Sequence, residues 1–238
     1  MENKRIVVKK DSTREIDISQ FLDFDQITIT VGEYSNVKIL CALLERAHDI
    51  RLRINIKENA TANIFFADFA PTSHKIIGLV KLEGTNSKGS WKTSCLSKDD
   101  EEKTYDISFI HEAVGSESKM ENYGVATDKS KLTFKGVSHI QNSAPKSSAS
   151  QQAKIIVFDD DVVASSSPSL RIDNNDINAS HAAIVGRLND EHLYYLMSRG
   201  LTEDESRRLI TYGYLSPIAD NFDENTRNEI IDAIEVRF

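Results

Sequence analysis

The residues of this chain that could do chemistry are few and scattered. His181 stands between Ser180 and two alanines. A neutral imidazole there suits iron or another soft metal, and equally suits a packed face. Asp159, Asp160 and Asp161 follow the β-prone run KIIVF. Three carboxylates attract Ca²⁺ or Mg²⁺, or serve as acid and base. Neighbouring strand residues point to opposite faces, so at most two converge, and an acidic corner is the simpler reading. The two cysteines, Cys41 and Cys95, lie in strand-like runs without a CxxC or a His at ligand spacing. Such thiols read as buried rather than metal-binding. His111-Glu112 lacks the second His of a zincin helix. There is no GxGxxG, Walker loop or GxSxG elbow, so the chain is not expected to bind ATP by itself or to use a serine nucleophile.

The elements that must position these residues change character once. Up to about residue 185 the sequence alternates apolar and polar residues over short stretches. Examples are Ile27, Ile29 and Val31, then Ile50, Leu52, Ile54 and Ile56. This is the period of half-buried strands. Roughly a dozen strands follow one another, separated by polar corners such as ENATANI, EGTNSKGS, SKDDEEK and VGSESKM. Hairpin Asn-Gly pairs are absent, and polar corners stack well in a β-helix. Solenoid and sandwich are about equally compatible with this pattern, and no repeat of fixed period is visible. The run NSAPKSSASQQ (142–152) reads as an exposed loop.

Beyond Gly186 the period becomes helical. Asn189 is a suitable N-cap, with Asp190 and Glu191 at the positive end of the helix dipole. This helix stops at Gly200. Thr202 and Glu205 have capping-box spacing for a second helix, which ends near Gly213 with Pro217 beyond it. A last helix is expected over 224–237, capped by Asp223. Ile230, Ile231 and Ile234 form its apolar stripe; Glu224, Arg227, Glu229, Asp232 and Arg237 form a solvated face. The helices are expected to cover one end of the β stack, and Lys4, Arg5, Lys9 and Lys10 to blunt the other.

The chain has 238 residues and a net charge of −8, so a nucleic-acid partner is disfavoured. No stretch has the length and apolarity of a membrane span, and the first residues carry no signal-type apolar run. The expectation is a cytoplasmic protein with neither nucleic-acid nor membrane partner.

The run Ser180-His181-Ala182-Ala183, then Gly186, then Leu193-Tyr194-Tyr195-Leu196-Met197-Ser198-Arg199-Gly200, resembles the signature of the SufB/SufD family. These are scaffold proteins of iron–sulfur cluster assembly. Glu203, Glu205, Arg207 and Gly213-Tyr214 continue the pattern. Upstream, Ser167-Pro168-Ser169-Leu170-Arg171-Ile172 and Asn175-Asp176 resemble the family's segment before it. The likeness is close over 153–215 and general over 1–140.

The resemblance implies a mainly β fold: a right-handed parallel β-helix (1–188) with a small C-terminal helical domain (189–238). It implies a non-enzymatic scaffold that dimerises through its β-helix with a second SufB/SufD-type subunit. It further implies that the C-terminal helices bind a SufC-like ABC ATPase, with Leu193, Tyr194, Tyr195, Met197, Arg199, Arg207 and Tyr214 as candidates. His181 becomes the candidate interface or metal residue. No cofactor is certain; the resemblance implies a transient iron–sulfur cluster at a subunit interface. Ala153, Ala182 and Ala179 stand where family members carry a cysteine, a glutamate and a cysteine, so the chain resembles SufD, or a reduced relative, more than a cluster-holding subunit. Two other readings compete: a β-helix carbohydrate-active enzyme using Asp159–Asp161, and a stand-alone binding or structural module.

Overall fold

Alternation sends every second side chain of an extended chain to the same side, and a stack of such strands can bury one side completely. A computed structural model, which describes residues 2–188 and 190–237, shows fourteen strands doing this among the described residues. They are β1 (Asn3–Val8), β2 (Thr13–Asp17), β3 (Gln26–Val31), β4 (Asn36–Leu43), β5 (Ile50–Ile56), β6 (Thr61–Asp68) and β7 (His74–Leu82), followed by β8 (Lys88–Ser97), β9 (Glu102–His111), β10 (Glu117–Ala126), β11 (Lys131–Ile140), β12 (Ser147–Val157), β13 (Val163–Ile172) and β14 (Ile177–Arg187). Odd strands form one seven-stranded sheet and even strands another, each in coil order. Every pairing is parallel, so the architecture is a solenoid and not a sandwich.

Each coil is one odd and one even strand. Asn3 faces Gln26, 23 residues on, whereas Thr133 faces Ser165, 32 residues on. The strands lengthen along the stack, from six residues in β1 and five in β2 to eleven in β12 and β14, which is why no fixed period shows in the sequence. One corner is a ladder of residues at positive φ: Asp11, Tyr34, Asn59, Asn86, Gly115 and Lys146. Asn and Asp tolerate this region better than most residues. The polar corners do stack: Asn86 Nδ2 donates to Asn59 Oδ1 at 3.2 Å.

Inside, residues of successive coils form rows. One row runs Ile39, Ile64, Trp91, Met120, Gln151 and His181. It begins aliphatic and ends polar. Each buried Ile, Leu or Val contributes roughly 1.5–3 kcal/mol over an exposed one. The Trp91 ring stacks on Phe66 with centroids 4.8 Å apart. It lies over Gly78, where a Cβ would sit 2.8 Å from the ring. The 142–152 segment is not an exposed loop throughout: Ser147, Ala149 and Gln151 are buried inward positions of β12.

Three helices follow: α1 (Asp190–Ser198), α2 (Glu203–Leu215) and α3 (Glu224–Arg237), with a 3-10 turn at Ser216–Asn221. The expected N-cap of α1, Asn189, lies outside the described residues. Gly200 ends that segment at φ +97, its N–H donating to Met197 O. Thr202 and Glu205 make the expected capping box, and Asp223 accepts from the amides of Asn225 and Thr226. The helices do not cover an end of the stack. They fold back along the outer side of the even sheet, where Leu215, Ile218, Phe222, Ile230 and Ile234 share one apolar cluster with Leu40, Ala67, Leu96 and Val125. Those outward strand residues are apolar, and burying them outweighs closing a coil end whose backbone water can reach. The outward side of the odd sheet stays bare. It carries Arg5, Arg51, Arg53, Lys75, Lys81, Lys131, Lys135 and Arg171 against only Glu102 and Asp106.

Candidate functional site

The last coil has nothing stacked on it. Inward positions of β13 and β14 that would be buried in any earlier coil are therefore accessible. His181 is one: it continues the inner row opposite Gln151, yet is exposed. Val185 on the same inward side is 41% exposed. The thiols are not near it. Cys41 and Cys95 lie on β4 and β8, fully buried, and β8 is three strands away from β14 in the sheet. Among the described residues no three His, Cys, Asp or Glu side chains converge as metal ligands. A cluster wants about four ligands, mostly thiolates. The described residues bring no such donor set together at one place.

The acidic run also fails to converge. Asp159 accepts from Thr127 Oγ1, from the Asp128 amide at 2.7 Å and from Arg207 at 3.0 Å. Burial opposes its ionised form, but these donors outweigh it and hold its carboxyl below the usual range. Asp160 pairs with Arg187 instead. Arg207 is thus turned towards the solenoid, as is Tyr214, which meets Tyr123 edge-on at 5.6 Å between centroids. The other helix candidates face out. Tyr194 is 76% and Tyr195 56% exposed, Met197 is exposed, and Arg199 lies over the Tyr195 ring at 5.3 Å. Leu193 is half-buried. α1 therefore presents an apolar and aromatic strip with an arginine, the composition of an interface anchor.

A polar network inside the solenoid escaped the sequence reading. Asp68 is fully buried. Its Oδ1 accepts from Lys103 Nζ at 2.9 Å and its Oδ2 from His74 Nε2 at 2.6 Å and from the Tyr105 hydroxyl. Burial raises the Asp68 pKa; the Lys103 and His74 charges and two hydrogen bonds outweigh this and hold it well below the carboxylate range. Burial pushes the Cys95 thiol up to about 12, and raises Cys41 as well. Lys103 also lies 3.9 Å from Glu101, which pairs with Arg237 of α3. Arg237 Nη1 donates to Phe69 O and Ala70 O at 2.9 and 3.3 Å. Arg237 is therefore not on a solvated face; it ties the last turn of α3 to the corner. The signal was in the register. Asp68 follows Ile64 and Phe66, and Lys103 precedes Tyr105, Ile107 and Phe109, all at inward positions.

The coil stack is open at its last turn, carries a helical layer on one sheet, and has a polar cleft where Lys98, Asp128, Asp159, Asp204 and Arg207 meet. This is the architecture of a parallel β-solenoid with a helical appendage. Residues 5–214 match the family model described as "SUF system FeS cluster assembly, SufBD core domain", and the chain belongs to that family. It is similar to the iron–sulfur cluster assembly protein SufD of Bacillus subtilis, 32% identical over 155 residues, 65% of this chain and 36% of that protein. It is also similar to SufB of Bacillus subtilis, 25% identical over 136 residues, 57% of this chain and 29% of that one. A SufBD family protein of Staphylococcus saprophyticus is 25% identical, covering 57% of this chain and 29% of the relative. The chain spans about a third of the length of these relatives. No helix among the described residues is long and apolar enough to cross a membrane.

Proposed function

We propose that this chain is a non-enzymatic scaffold subunit of SUF-type iron–sulfur cluster assembly, working in the cytoplasm. The observation that carries the reading is the open last coil. The inward row through His181 and Val185 is exposed only because no further coil covers it. A second scaffold subunit, placed coil against coil, would bury that row and pair the edges of β13 and β14. The cluster is cargo, not a resident group. His181 would supply one ligand at such a junction, and the remaining ligands would come from the partner. A SufC-like ABC ATPase docks on α1 through Tyr194, Tyr195, Met197 and Arg199. Tyr214 and Arg207 hold α2 in place beneath it, and their contacts to Tyr123 and Asp159 link that helix to the solenoid.

Two experiments test this. Size-exclusion chromatography of the chain with its cognate ATPase should give a complex that Tyr194→Glu with Met197→Glu abolishes. Folded proteins that never associate would remove the ATPase from the reading. Anaerobic reconstitution with iron and sulfide should give no cluster absorbance for the chain alone. Absorbance should appear only with the second subunit, and weaken in His181→Ala.

A further inference from the structure

Charge is segregated on this molecule. The bare outward side of the odd sheet has eight cations and two carboxylates, on a chain with 29 bases and 37 acids. Lys75 and Lys131 pair with those two, Asp106 and Glu102, and Lys81 and Arg171 pair with the corner carboxylates Glu112 and Asp173. Arg5, Arg53 and Lys135 have no carboxylate within ion-pair distance among the described residues, and all three are exposed. Their placement follows from the register. Arg5 faces Thr28 and Thr28 faces Arg53, so the arginines are two strands apart in one row, about 10 Å. The row continues through Leu79, Ser108 and Val137, with Lys135 two residues from Val137 on β11. Cations thus flank a half-buried aliphatic middle.

We propose that this bare sheet face is a docking surface for an acidic amphipathic helix of a partner protein. The odd strands stack over six spacings, about 29 Å, the length of roughly 19 helical residues. Carboxylates three or four residues apart on a helix lie about 5–6 Å apart, close to the strand spacing and able to meet successive rungs. Leu79 and Val137 give the apolar edge of such a helix something to cover. A polypeptide fits better than a nucleic acid, because no Phe, Tyr or Trp stands on the outward positions of this sheet to stack a base.

The test uses the full chain and a fluorescein-labelled helical peptide of about 20 residues with Glu along one face and Leu along its edge. Its Lys counterpart and a single-stranded DNA of similar length serve as comparators, with anisotropy as the readout. The Glu peptide should bind, and binding should weaken several-fold as salt shortens the Debye length from about 10 Å towards 3 Å. Arg53→Glu with Lys135→Glu should lower affinity about tenfold, or ~1.4 kcal/mol. Lys88→Glu with Lys119→Glu, on the even sheet, should change it less than about twofold. The single Arg5→Glu variant gives the same test should the double variant melt early. Absence of binding, equal losses from both sheets, or DNA binding as tightly as the peptide would each overturn the proposal.

Discussion

Arg237 and Glu101 form a nearly buried ion pair, their side chains 11% and 6% exposed. Removing one partner of such a pair leaves an uncompensated charge and costs about 3–5 kcal/mol. Arg237→Ala should therefore lower the melting temperature by roughly 6–20 °C, with Arg237→Lys intermediate, as scanning calorimetry would show. His111 is buried between Ser116 and Ser118, each 2.8 Å from a ring nitrogen. Burial lowers its pKa to about 4. Between the unfolded value near 6.5 and that folded value, the unfolded chain binds more protons, so stability falls as pH falls. The loss amounts to roughly 3 kcal/mol over this window. Urea melts followed by Trp91 fluorescence should show this slope, and His111→Gln should flatten it. The thiols offer a third check. With both pKa values raised by burial, Cys41 and Cys95 should resist a thiol reagent at neutral pH until denaturant is added. The residue scale is also where the sequence was hardest to read. A buried Lys103 looks like any lysine in a strand until its inward register is taken seriously.

At the scale of elements, local chemistry was a good guide. The capping box of Thr202 and Glu205, the positive φ of Gly200 and the Asp223 cap all stand where their residue types placed them. Each needs only neighbours a few residues away. Thr202→Ala should cost about 1 kcal/mol and speed amide exchange in the first turn of α2. The docking of the helices on the even sheet was also written in the sequence, in a form the strand pattern hides. Even strands lose their alternation at their C-terminal ends, in the pairs Phe65-Phe66, Cys95-Leu96, Val125-Ala126 and Ile155-Ile156. Apolar residues on both faces mean burial on both faces. Ile234→Ala, at the centre of that contact, should cost about 2–5 kcal/mol and loosen α3 before the coils unfold, visible as early exchange of its amides.

For the whole molecule, the solenoid is a quasi-one-dimensional stack whose coils touch only their neighbours and the helical layer. Its two ends are unlike: the inner row is aliphatic at β4 and polar by β12 and β14. Val185→Glu, at the open end, should leave the melting temperature of the chain alone unchanged while abolishing co-elution with a second scaffold subunit. The β content, the polar corners, the change of period beyond Gly186 and the caps at Thr202 and Asp223 were determined by the sequence alone, because alternation and capping depend on residues a few positions apart. Two features were decided only by the tertiary structure: Asp68, His74, Lys103 and Tyr105 meet inside, and cations collect on one bare sheet. Each depends on which residues of neighbouring coils, 23 to 37 positions apart, come to face one another. That register is set by strand and corner lengths together and by packing between coils, and no local pattern contains it.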